Sequence, residues 1–428
     1  MKNQPVATPR EVLRNSNFTR LLTGQFISQL GDGIVYLSLI IVLNRLLGEQ
    51  AASAIGVLLI CLTAPQVVLG LLSGVYADRL DRKKLMIYAD VLRGFIVLSF
   101  VLVRSPEDVW ILYTGGFALS AVSAIFAPAK DASLPQLVPP HQLILANSLS
   151  QTGFIIATTL GSALAGILIG ALHTSTPAIL FDSVSFFISA AFIATVHLPH
   201  MQRHAEQYPS VRQVARELRE GLDYVAHQRQ MVGALTGLGV TMLGVGAINV
   251  LYVPFLSNDL HVPETYLGFV DLFQMAGMVL VNLFVARLAA RFSPAQLIGS
   301  GIILIGILLG AAGFVQTAWV IFPLGFLWGL CIAPVDASAA TVIQHAPDQI
   351  RGRAVSASQT VTGTANVLSM AVAGIAGASL GPRLAFITGG AFAVVGGILA
   401  WLIMRGTAPQ PNPISQTAPE SVPVNIEE

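Results

Sequence analysis

The sequence predicts an all-α integral membrane protein in which twelve transmembrane helices form two pseudo-symmetric six-helix bundles. The first observation is composition, because the 428-residue chain is 54% hydrophobic and only 11% charged, whereas soluble domains carry about 25% charged residues. The second is a series of twelve long apolar stretches. The third is an internal repeat, in which the second half of the chain restates short segments of the first.

A helix needs about 20 apolar residues to cross the hydrocarbon core of a bilayer. Twelve stretches meet this requirement, at about 21–43, 53–77, 85–103, 109–129, 146–171, 177–197, 231–255, 266–286, 296–314, 318–340, 354–379 and 384–404. Lysine and arginine concentrate in cytoplasmic loops. If the N-terminus is cytoplasmic, only Arg45, Arg104 and Arg383 of the 23 lysines and arginines face the other side, and Arg93 lies within a span. We therefore expect a multi-pass protein of the cell membrane with both termini in the cytoplasm.

The spans divide the chain into five regions. These are a cytoplasmic N-terminus (1–20), a first six-helix bundle (21–197), a cytoplasmic linker (198–230), a second six-helix bundle (231–404) and a tail (405–428). Apolar residues recur at helical spacing in the linker, which predicts an amphipathic helix. This helix either lies passively at the membrane surface or has a regulatory role. The tail is rich in proline and polar residues, which is typical of disorder.

The internal repeat relates the two bundles. The segment Ser148-Leu149-Ser150-Gln151-Thr152 recurs 208 residues later as Ser356-Ala357-Ser358-Gln359-Thr360, and Ala165-Gly166-Ile167 recurs at the same offset as Ala373-Gly374-Ile375. Two parallel halves related by an axis along the membrane normal allow a central site to face each side in turn. The alternative is that the repeat only records gene duplication in a static membrane protein.

The loop between the second and third spans carries the motif GVYADRLDRKK. It resembles the loop motif of the major facilitator superfamily, G-x-x-x-D-R-x-G-R-[RK], at Gly74, Asp78, Arg79, Arg82 and Lys83. Asp81 replaces the usual second glycine, so the loop must turn without the residue that freely adopts positive φ. The stretches FAPAKDASLPQLVPPHQLILANSLSQTG, LFDSVSFFISA and RGRAVSASQT resemble the branch of this superfamily that contains macrolide-efflux and enterobactin-exporter proteins. This likeness extends from Phe18 to Met404.

The resemblance implies the major facilitator fold and secondary active transport. It implies a proton-coupled exporter of hydrophobic or amphiphilic small molecules, such as drugs or a siderophore, that works by alternating access. It also implies that Asp78 accepts hydrogen bonds from the start of the span near Arg353 and, with Arg82 alongside, holds the cytoplasmic side closed. The alternative is that the basic loop only fixes topology.

Six charged residues lie within the predicted spans, where each costs at least ~2.5–3.5 kcal/mol at mid-helix and normally faces a cavity or a partner. They are Asp32, Asp90, Arg93, Asp182, Asp271 and Asp336. We expect Asp32, between two glycines in the first span, to be the main proton-coupling group, the alternative being a structural hydrogen bond. Asp182 and Asp271, in the outer thirds of their spans, are secondary candidates for protonation or for binding a cationic substrate. Either can equally be a latch on the outer side.

The remaining charged residues have proposed structural or gating roles. Asp90 and Arg93 are three residues apart and can pair on one helix face. Asp131 and Asp336 are repeat mates at cytoplasmic ends of spans, where gating contacts are expected. Aromatic residues with few polar groups suit an amphiphilic ligand, although such residues also face lipid or pack between helices. The cavity candidates are Phe26, Tyr36, Phe154, Phe181, Phe269, Phe273, Gln274 and Trp328.

Two common enzyme motifs are missing from the sequence. It contains no Walker-type phosphate loop and no H-E-x-x-H motif, so we expect no enzyme, no metal site and no cofactor, with the proton gradient as the energy source. The expected partners are a small-molecule substrate and the lipid bilayer, with no nucleic acid, and the protein is expected to be a monomer. Alternatives are a lysolipid flippase or uniporter of the same fold, a membrane-embedded enzyme, and a membrane sensor without transport.

Overall fold

The computed structural model of the chain describes residues 8–77, 81–198 and 211–405. These residues include fourteen α-helices. The helices are α1 (Pro9–Leu13), α2 (Ser16–Leu47), α3 (Ala51–Ala77), α4 (Arg82–Ser99), α5 (Val109–Leu137), α6 (Leu143–Leu172), α7 (Thr176–Thr195), α8 (Val211–His227), α9 (Arg229–Pro254), α10 (Phe269–Asn282), α11 (Val285–Arg291), α12 (Pro294–Ala312), α13 (Ile321–Gln344) and α14 (Asp348–Met404).

Eleven helices in the described part of the chain are long and apolar enough to cross a membrane. They are α2 to α7, α9, α10, α12, α13 and the second segment of α14, Gly381–Met404. The chain is therefore a multi-pass membrane protein. The predicted span at 354–379 coincides with the first segment of α14, which is helical but is not among the eleven.

The two segments of α14 meet at Gly381. Its backbone has a φ of +73° and a ψ of 157°, which is not helical. Glycine adopts this conformation without steric cost, and Pro382 follows it directly. The long helix is thus two helical segments with an abrupt change of backbone conformation between them.

The turn before α4 shows how the loop motif tolerates Asp81. This residue has a φ of −61° and is the N-cap of α4, where its side chain accepts hydrogen bonds from the backbone N–H of Lys83 at 3.0 Å and of Lys84 at 3.2 Å. An aspartate is among the preferred N-cap residues. The departure from the motif therefore replaces a flexible glycine with a helix cap.

The helices of each half of the chain pack mainly with one another. In the first half α2 packs against α6 and α7, and α3 against α5, while in the second half α14 packs against α9 and α12, and α10 against α13. Fewer contacts join the halves, and they involve α3 with α14 and α6 with α10. The predicted linker helix corresponds to α8, which packs against α14, α9 and α3.

Paired glycines bring the second segment of α14 close to two neighbours at once. A Cβ atom on Gly396 would lie 2.7 Å from the carbonyl oxygen of Gly237 in α9. A Cβ on the next residue, Gly397, would lie 2.7 Å from the carbonyl oxygen of Gly299 in α12. Small residues at membrane helix interfaces allow such close backbone approach. The α9–α14–α12 layer is therefore a closely packed wall of the second half.

Candidate functional site

A large cavity of approximately 1520 Å³ lies between the two halves of the chain. Its wall is formed by α2, α3, α4, α5 and α6 from the first half and by α8, α10 and α14 from the linker and second half. The polar side chains on the wall are mostly amides and hydroxyls, including Gln25, Ser28, Gln29, Thr63, Gln66, Ser120, Thr158, Ser162, Gln274, Ser356, Gln359 and Thr360.

Asp32 lies on the wall of this cavity, and its two flanking glycines position it. A Cβ atom on Gly31 would collide with the carboxylate of Asp182 and the hydroxyl of Ser185 in α7. A Cβ on Gly33 would collide with the backbone carbonyl of Thr158 in α6. The Gly-Asp-Gly sequence thus allows α6 and α7 to close in on both sides of α2, at the level where α2 presents a carboxyl group to the cavity.

Asp32 belongs to a cluster of charged residues from three helices. It is within electrostatic range of Asp90 and Arg93 in α4 and of Asp182 in α7. Asp90 and Asp182 are fully buried, whereas Arg93 also reaches the cavity wall. The cluster holds three carboxyl groups and one guanidinium group, so full ionisation would leave two negative charges without a partner in the cluster.

Arg93 is the centre of this cluster. Its guanidinium forms an ion pair with Asp90 and lies over the rings of Phe126 and Phe186, 4.2 and 4.6 Å from their centroids. Aromatic faces attract a cation, so the group is held on several sides. Within the described residues, Asp90 Oδ2, Asp182 Oδ2 and Arg93 Nε have no hydrogen-bond partner.

Asp271 supplies a carboxyl group from the second half. It lies in the first turn of α10 and lines the large cavity. Together with Tyr36, Ser162 and Gln274 it also borders a second cavity of about 240 Å³ that extends into the second half. The two cavities therefore meet at Asp271.

Charged residues form the rim at one end of the large cavity. They are Lys130 and Asp131 of α5, Glu217 of α8 and Arg353 of α14. Lys130 lies 3.3 Å from the carboxylate of Asp131. Arg353 Nη1 donates to Glu220 Oε2 of α8 at 2.5 Å. The linker helix is therefore attached to the first turns of α14 and contributes to the mouth of the cavity.

The halves contact each other directly at the opposite end. Arg45, near the end of α2, forms an ion pair with Glu264 just before α10, and its Nη1 donates to the carbonyl oxygen of His173 after α6 at 3.1 Å. Asn44 and Asn258 exchange side-chain amide hydrogen bonds at 3.2 and 3.3 Å. This closed end, defined by Asn44, Arg45, His173, Asn258 and Glu264, seals the cavity on the side away from the rim.

Repeat-related glycines close this end in two equivalent places. A Cβ on Gly166 of α6 would lie 2.7 Å from the carbonyl oxygen of Glu264, before α10. Its repeat mate Gly374 in α14 packs against α3, where a Cβ on Gly56 would lie 2.8 Å from the Cα of Gly374. The two contacts obey the internal symmetry, because Gly56 and Glu264 are separated by the same 208 residues as Gly166 and Gly374.

The predicted cavity residues are only partly brought together. Tyr36, Phe154 and Gln274 line the large cavity, and Trp328 lines the smaller one with Tyr36 and Gln274. Phe26, Phe181, Phe269 and Phe273 line neither of these two cavities. The side chains of Phe181 and Phe273 are exposed on the surface of the protein, and the ring of Phe269 packs against that of Tyr266. The two cavities therefore bring together four of the eight predicted residues, and a substrate contact at the four phenylalanines stays a prediction.

The predicted gating residues occupy several places. Gly74 lies near the end of α3, and Asp78 and Arg79 fall outside the described residues. Arg82 Nη1 donates to the carbonyl oxygen of Ala132 in α5 at 2.8 Å, within the first half. Lys83 lies in the first turn of α4, and Asp336 is exposed on α13 and lines neither cavity.

Several residues of the site were not predicted from the sequence. Arg45, Glu264, Asn44 and Asn258 each occur in ordinary polar segments near helix ends, which gives no signal of pairing across more than 200 residues. The proximity of Asp182 to Asp32, by contrast, could have been anticipated from the sequence of α7. Asp182, Ser185 and Ser189 repeat on one face of α7, and a polar face on a membrane helix indicates a buried polar partner.

Solved structures of transporters share this fold. The chain matches a bacterial homologue of the iron transporter ferroportin in an inward-facing state, with a TM-score of 0.69 and 19% identity over 92% of this chain and 98% of the other. It also matches an inward-facing, unoccupied bacterial homologue of the human lysosomal transporter Spinster, with a TM-score of 0.68 and 13% identity over 93% of this chain and 97% of the other. At these identities the likeness concerns the fold alone.

Proteins related in sequence are named as transporters or exporters. The chain is 27% identical to the MFS-type transporter YfiS of Bacillus subtilis, over 89% of this chain and 91% of the relative. It is 26% identical to macrolide efflux protein A of Streptococcus pyogenes, over 71% of this chain and 75% of the relative. It is also 26% identical to the putative bacilysin exporter BacE of Bacillus amyloliquefaciens, over 59% and 61%. The model of the transmembrane secretion effector family, MFS_3, matches residues 7–421, and the chain therefore belongs to this family of major facilitator superfamily transporters.

Proposed function

We propose that this protein is a proton-coupled exporter of amphiphilic small molecules that works by alternating access. The observation that carries the proposal is the asymmetry of the large cavity. The charged rim with Lys130 and Arg353 borders it at one end, and the ion pair between Arg45 and Glu264 closes the other. A cavity between two halves that is sealed at one end is the arrangement expected of one state of a rocking transporter.

Proton coupling is supported by the charge balance of the Asp32 cluster. Three carboxyl groups share one guanidinium group in a largely buried site, and unpaired buried charge is costly. The cluster can lower this cost by binding protons. Because Asp32 is the carboxyl group of the cluster that lies on the cavity wall, it can exchange protons with solvent when the cavity is open to either side.

The proposed substrate class is supported by the residues of the large cavity's wall and by the name of a sequence relative. The wall combines Tyr36 and Phe154 with amide and hydroxyl groups and with the carboxyl group of Asp271. Small-molecule pockets usually enclose about 300–1,000 Å³, so a cavity of approximately 1520 Å³ has room for a large ligand. The name of a relative, macrolide efflux protein A, is in keeping with such a ligand.

The remaining features of the proposal concern topology and energy supply. We place the protein in the cell membrane with both termini in the cytoplasm, so that the charged rim faces the cytoplasm. The two halves, 21–197 and 231–404, act as the moving bundles, and the linker that contains α8 joins them. The protein acts as a monomer, with the proton gradient as its energy source and no cofactor.

A reconstitution experiment tests the proposed function. The purified protein is placed in liposomes with an imposed pH difference, and accumulation of rhodamine 6G, erythromycin and a catecholate is followed. For exchange of one proton per substrate molecule, a difference of about one pH unit supports about tenfold accumulation. Loss of this accumulation when an ionophore collapses the gradient supports the proposal. Accumulation that never exceeds equilibration would contradict proton coupling and favour a uniporter.

A further inference from the structure

We propose that the smaller cavity, beside Tyr252 and Trp328, is a substrate subsite for an apolar group that bears a hydrogen-bond acceptor oxygen and is attached to a cationic centre. This subsite would hold one end of the transported molecule, so the inference rests on the proposed function. It identifies a chemical class of ligand and a position for it within the second half of the chain.

The position of the smaller cavity suits a side pocket of the transport pathway. It borders Tyr36, Ser162, Asp271 and Gln274, all of which also line the large cavity. A molecule in the large cavity can therefore extend one group past Asp271 into the second half. At about 240 Å³, the smaller cavity is below the usual range of about 300–1,000 Å³ for whole ligands. It suits a ring or a short chain of a larger molecule.

The wall of the smaller cavity is mainly apolar. Five helices of the second half contribute side chains such as Ile248, Leu309, Leu324 and Phe386, and α2 contributes Leu37 and Ile40. Such a wall favours an apolar group over a hydrated one. The ligand end that enters this cavity is therefore apolar.

Two buried donors on this wall lack partners. Within the described residues, the hydroxyl of Tyr252 and the indole N–H of Trp328 are buried and make no hydrogen bond. Native proteins rarely leave buried donors unsatisfied, because the lost hydrogen bond destabilises the folded state. Both groups can donate, and an indole N–H can only donate. The chemistry that satisfies both is an acceptor oxygen, such as a carbonyl or ether.

Asp271 gives the proposed subsite a preference for a positively charged ligand. It supplies a carboxyl group where the two cavities meet, and a cationic centre on the ligand would gain most from lying there. The order of groups from the large cavity inward is then a cationic centre beside Asp271, followed by an apolar group with an acceptor oxygen near Tyr252 and Trp328.

Equilibrium binding of two probes to the purified full-length protein tests the inference. Rhodamine 6G is a cation with ring and ester oxygens, whereas tetraphenylphosphonium is an apolar cation without an acceptor oxygen. Tyr252→Phe and Trp328→Phe each remove one donor and keep an aromatic ring. We expect each to weaken rhodamine 6G binding about three- to tenfold, the effect of one lost hydrogen bond, and to leave tetraphenylphosphonium binding unchanged. Asp271→Asn should weaken binding of both cations.

Matched controls separate the subsite from general effects. Trp319→Phe and Tyr88→Phe make the same substitutions at exposed positions outside both cavities and should not change binding of either probe. A second variant, Leu309→Phe, fills the smaller cavity from its apolar wall and should also weaken rhodamine 6G binding. Thermal unfolding of every variant verifies that the folded protein is being compared.

The outcomes distinguish this inference from the proposed function. If the wild-type protein transports both probes, but Tyr252→Phe, Trp328→Phe and Leu309→Phe all bind rhodamine 6G as tightly as wild type, the subsite is wrong and the transport proposal stands. If the wild-type protein neither binds nor transports either probe, the proposed function fails and the subsite fails with it.

Discussion

Arg45 and Glu264 join the two halves of the chain through a two-point ion pair, in which Arg45 Nε donates to Glu264 Oε1 at 2.6 Å and Nη2 contacts Oε2. The side chains are 34% and 24% exposed. An ion pair with this exposure contributes little free energy by itself, about 0.2–1 kcal/mol. Its importance is its position, because it links the end of α2 to the turn before α10 where the cavity is closed.

Breaking this ion pair should favour opening of the closed end. Glu264→Gln removes the charge and keeps the side-chain shape, so the open fraction should rise about two- to fivefold, in line with an energy of up to about 1 kcal/mol. Spin labels at Thr174 and Pro263, with Cys61 and Cys331 replaced by alanine, report the distance across this end. The charge-reversed pair Arg45→Glu with Glu264→Arg should restore the wild-type distribution. A distribution that Glu264→Gln leaves unchanged would show that the ion pair does not hold this end closed.

The glycine contact at the same end should matter more than the ion pair. Gly166→Ala places a Cβ 2.7 Å from the carbonyl oxygen of Glu264, and backbone atoms cannot move aside cheaply. Overpacking of this kind costs about 1–3 kcal/mol, so the closed state should become rarer and transport slower. Gly153→Ala is the matched control on the same helix, because its Cβ would meet only Leu22 and Phe26, at 3.7 and 3.9 Å. Equal transport by the two variants would rule out the contact as a gate.

The charged cluster makes Asp32 the residue on which proton coupling should depend. Asp32→Asn removes the ionisable group from the cavity wall, so accumulation driven by a pH gradient should be lost, while probe binding at Asp271 remains. Transport assays in liposomes with and without the gradient measure this separation. Asp223→Asn, on the exposed side of α8, is the control carboxylate and should behave like wild type. Gradient-driven accumulation by Asp32→Asn would assign coupling to another group.

The glycine after Asp32 should be needed for stability. Gly33→Ala would place a Cβ against the backbone of Thr158 and push α6 away from α2. We expect a loss of about 1–3 kcal/mol in stability, as in other overpacked sites, and a lower melting temperature in detergent. Gly310→Ala should melt close to wild type, because a Cβ there would meet nothing within 4 Å. Equal melting of the two variants would contradict the close packing of α2 and α6.

The internal arrangement of the helices was only partly predictable from the sequence. Apolar stretches indicated most of the helices, and the repeat mates Gly166 and Gly374 lie in equivalent contacts of the structure. The faces of the helices that line the cavity were harder to predict. Phe181 and Phe273, for example, are exposed and line neither of the two cavities. In a membrane protein the lipid-facing and helix-facing sides of a helix are both apolar, so the sequence pattern does not separate them.

Long-range pairs were not predictable for a related reason. Asp182 lies beside Gly31, and Arg45 pairs with Glu264. Both contacts depend on the packing of helices that are far apart in the sequence. Single charges near helix ends have many possible partners, and no local pattern selects among them. Only the polar face of α7 gave a signal, and it predicts a buried partner without identifying it.

Under alternating access the two ends of the large cavity open in turn, and paired distance measurements on the full-length protein can detect this. One label pair, at Thr174 and Pro263, spans the closed end, and a second pair, at Asn147 and His345, spans the end with the charged rim. With substrate and a proton gradient present, we expect the first distance to lengthen while the second shortens. Substrate transport with both distances fixed, or with both ends opening together, would contradict it.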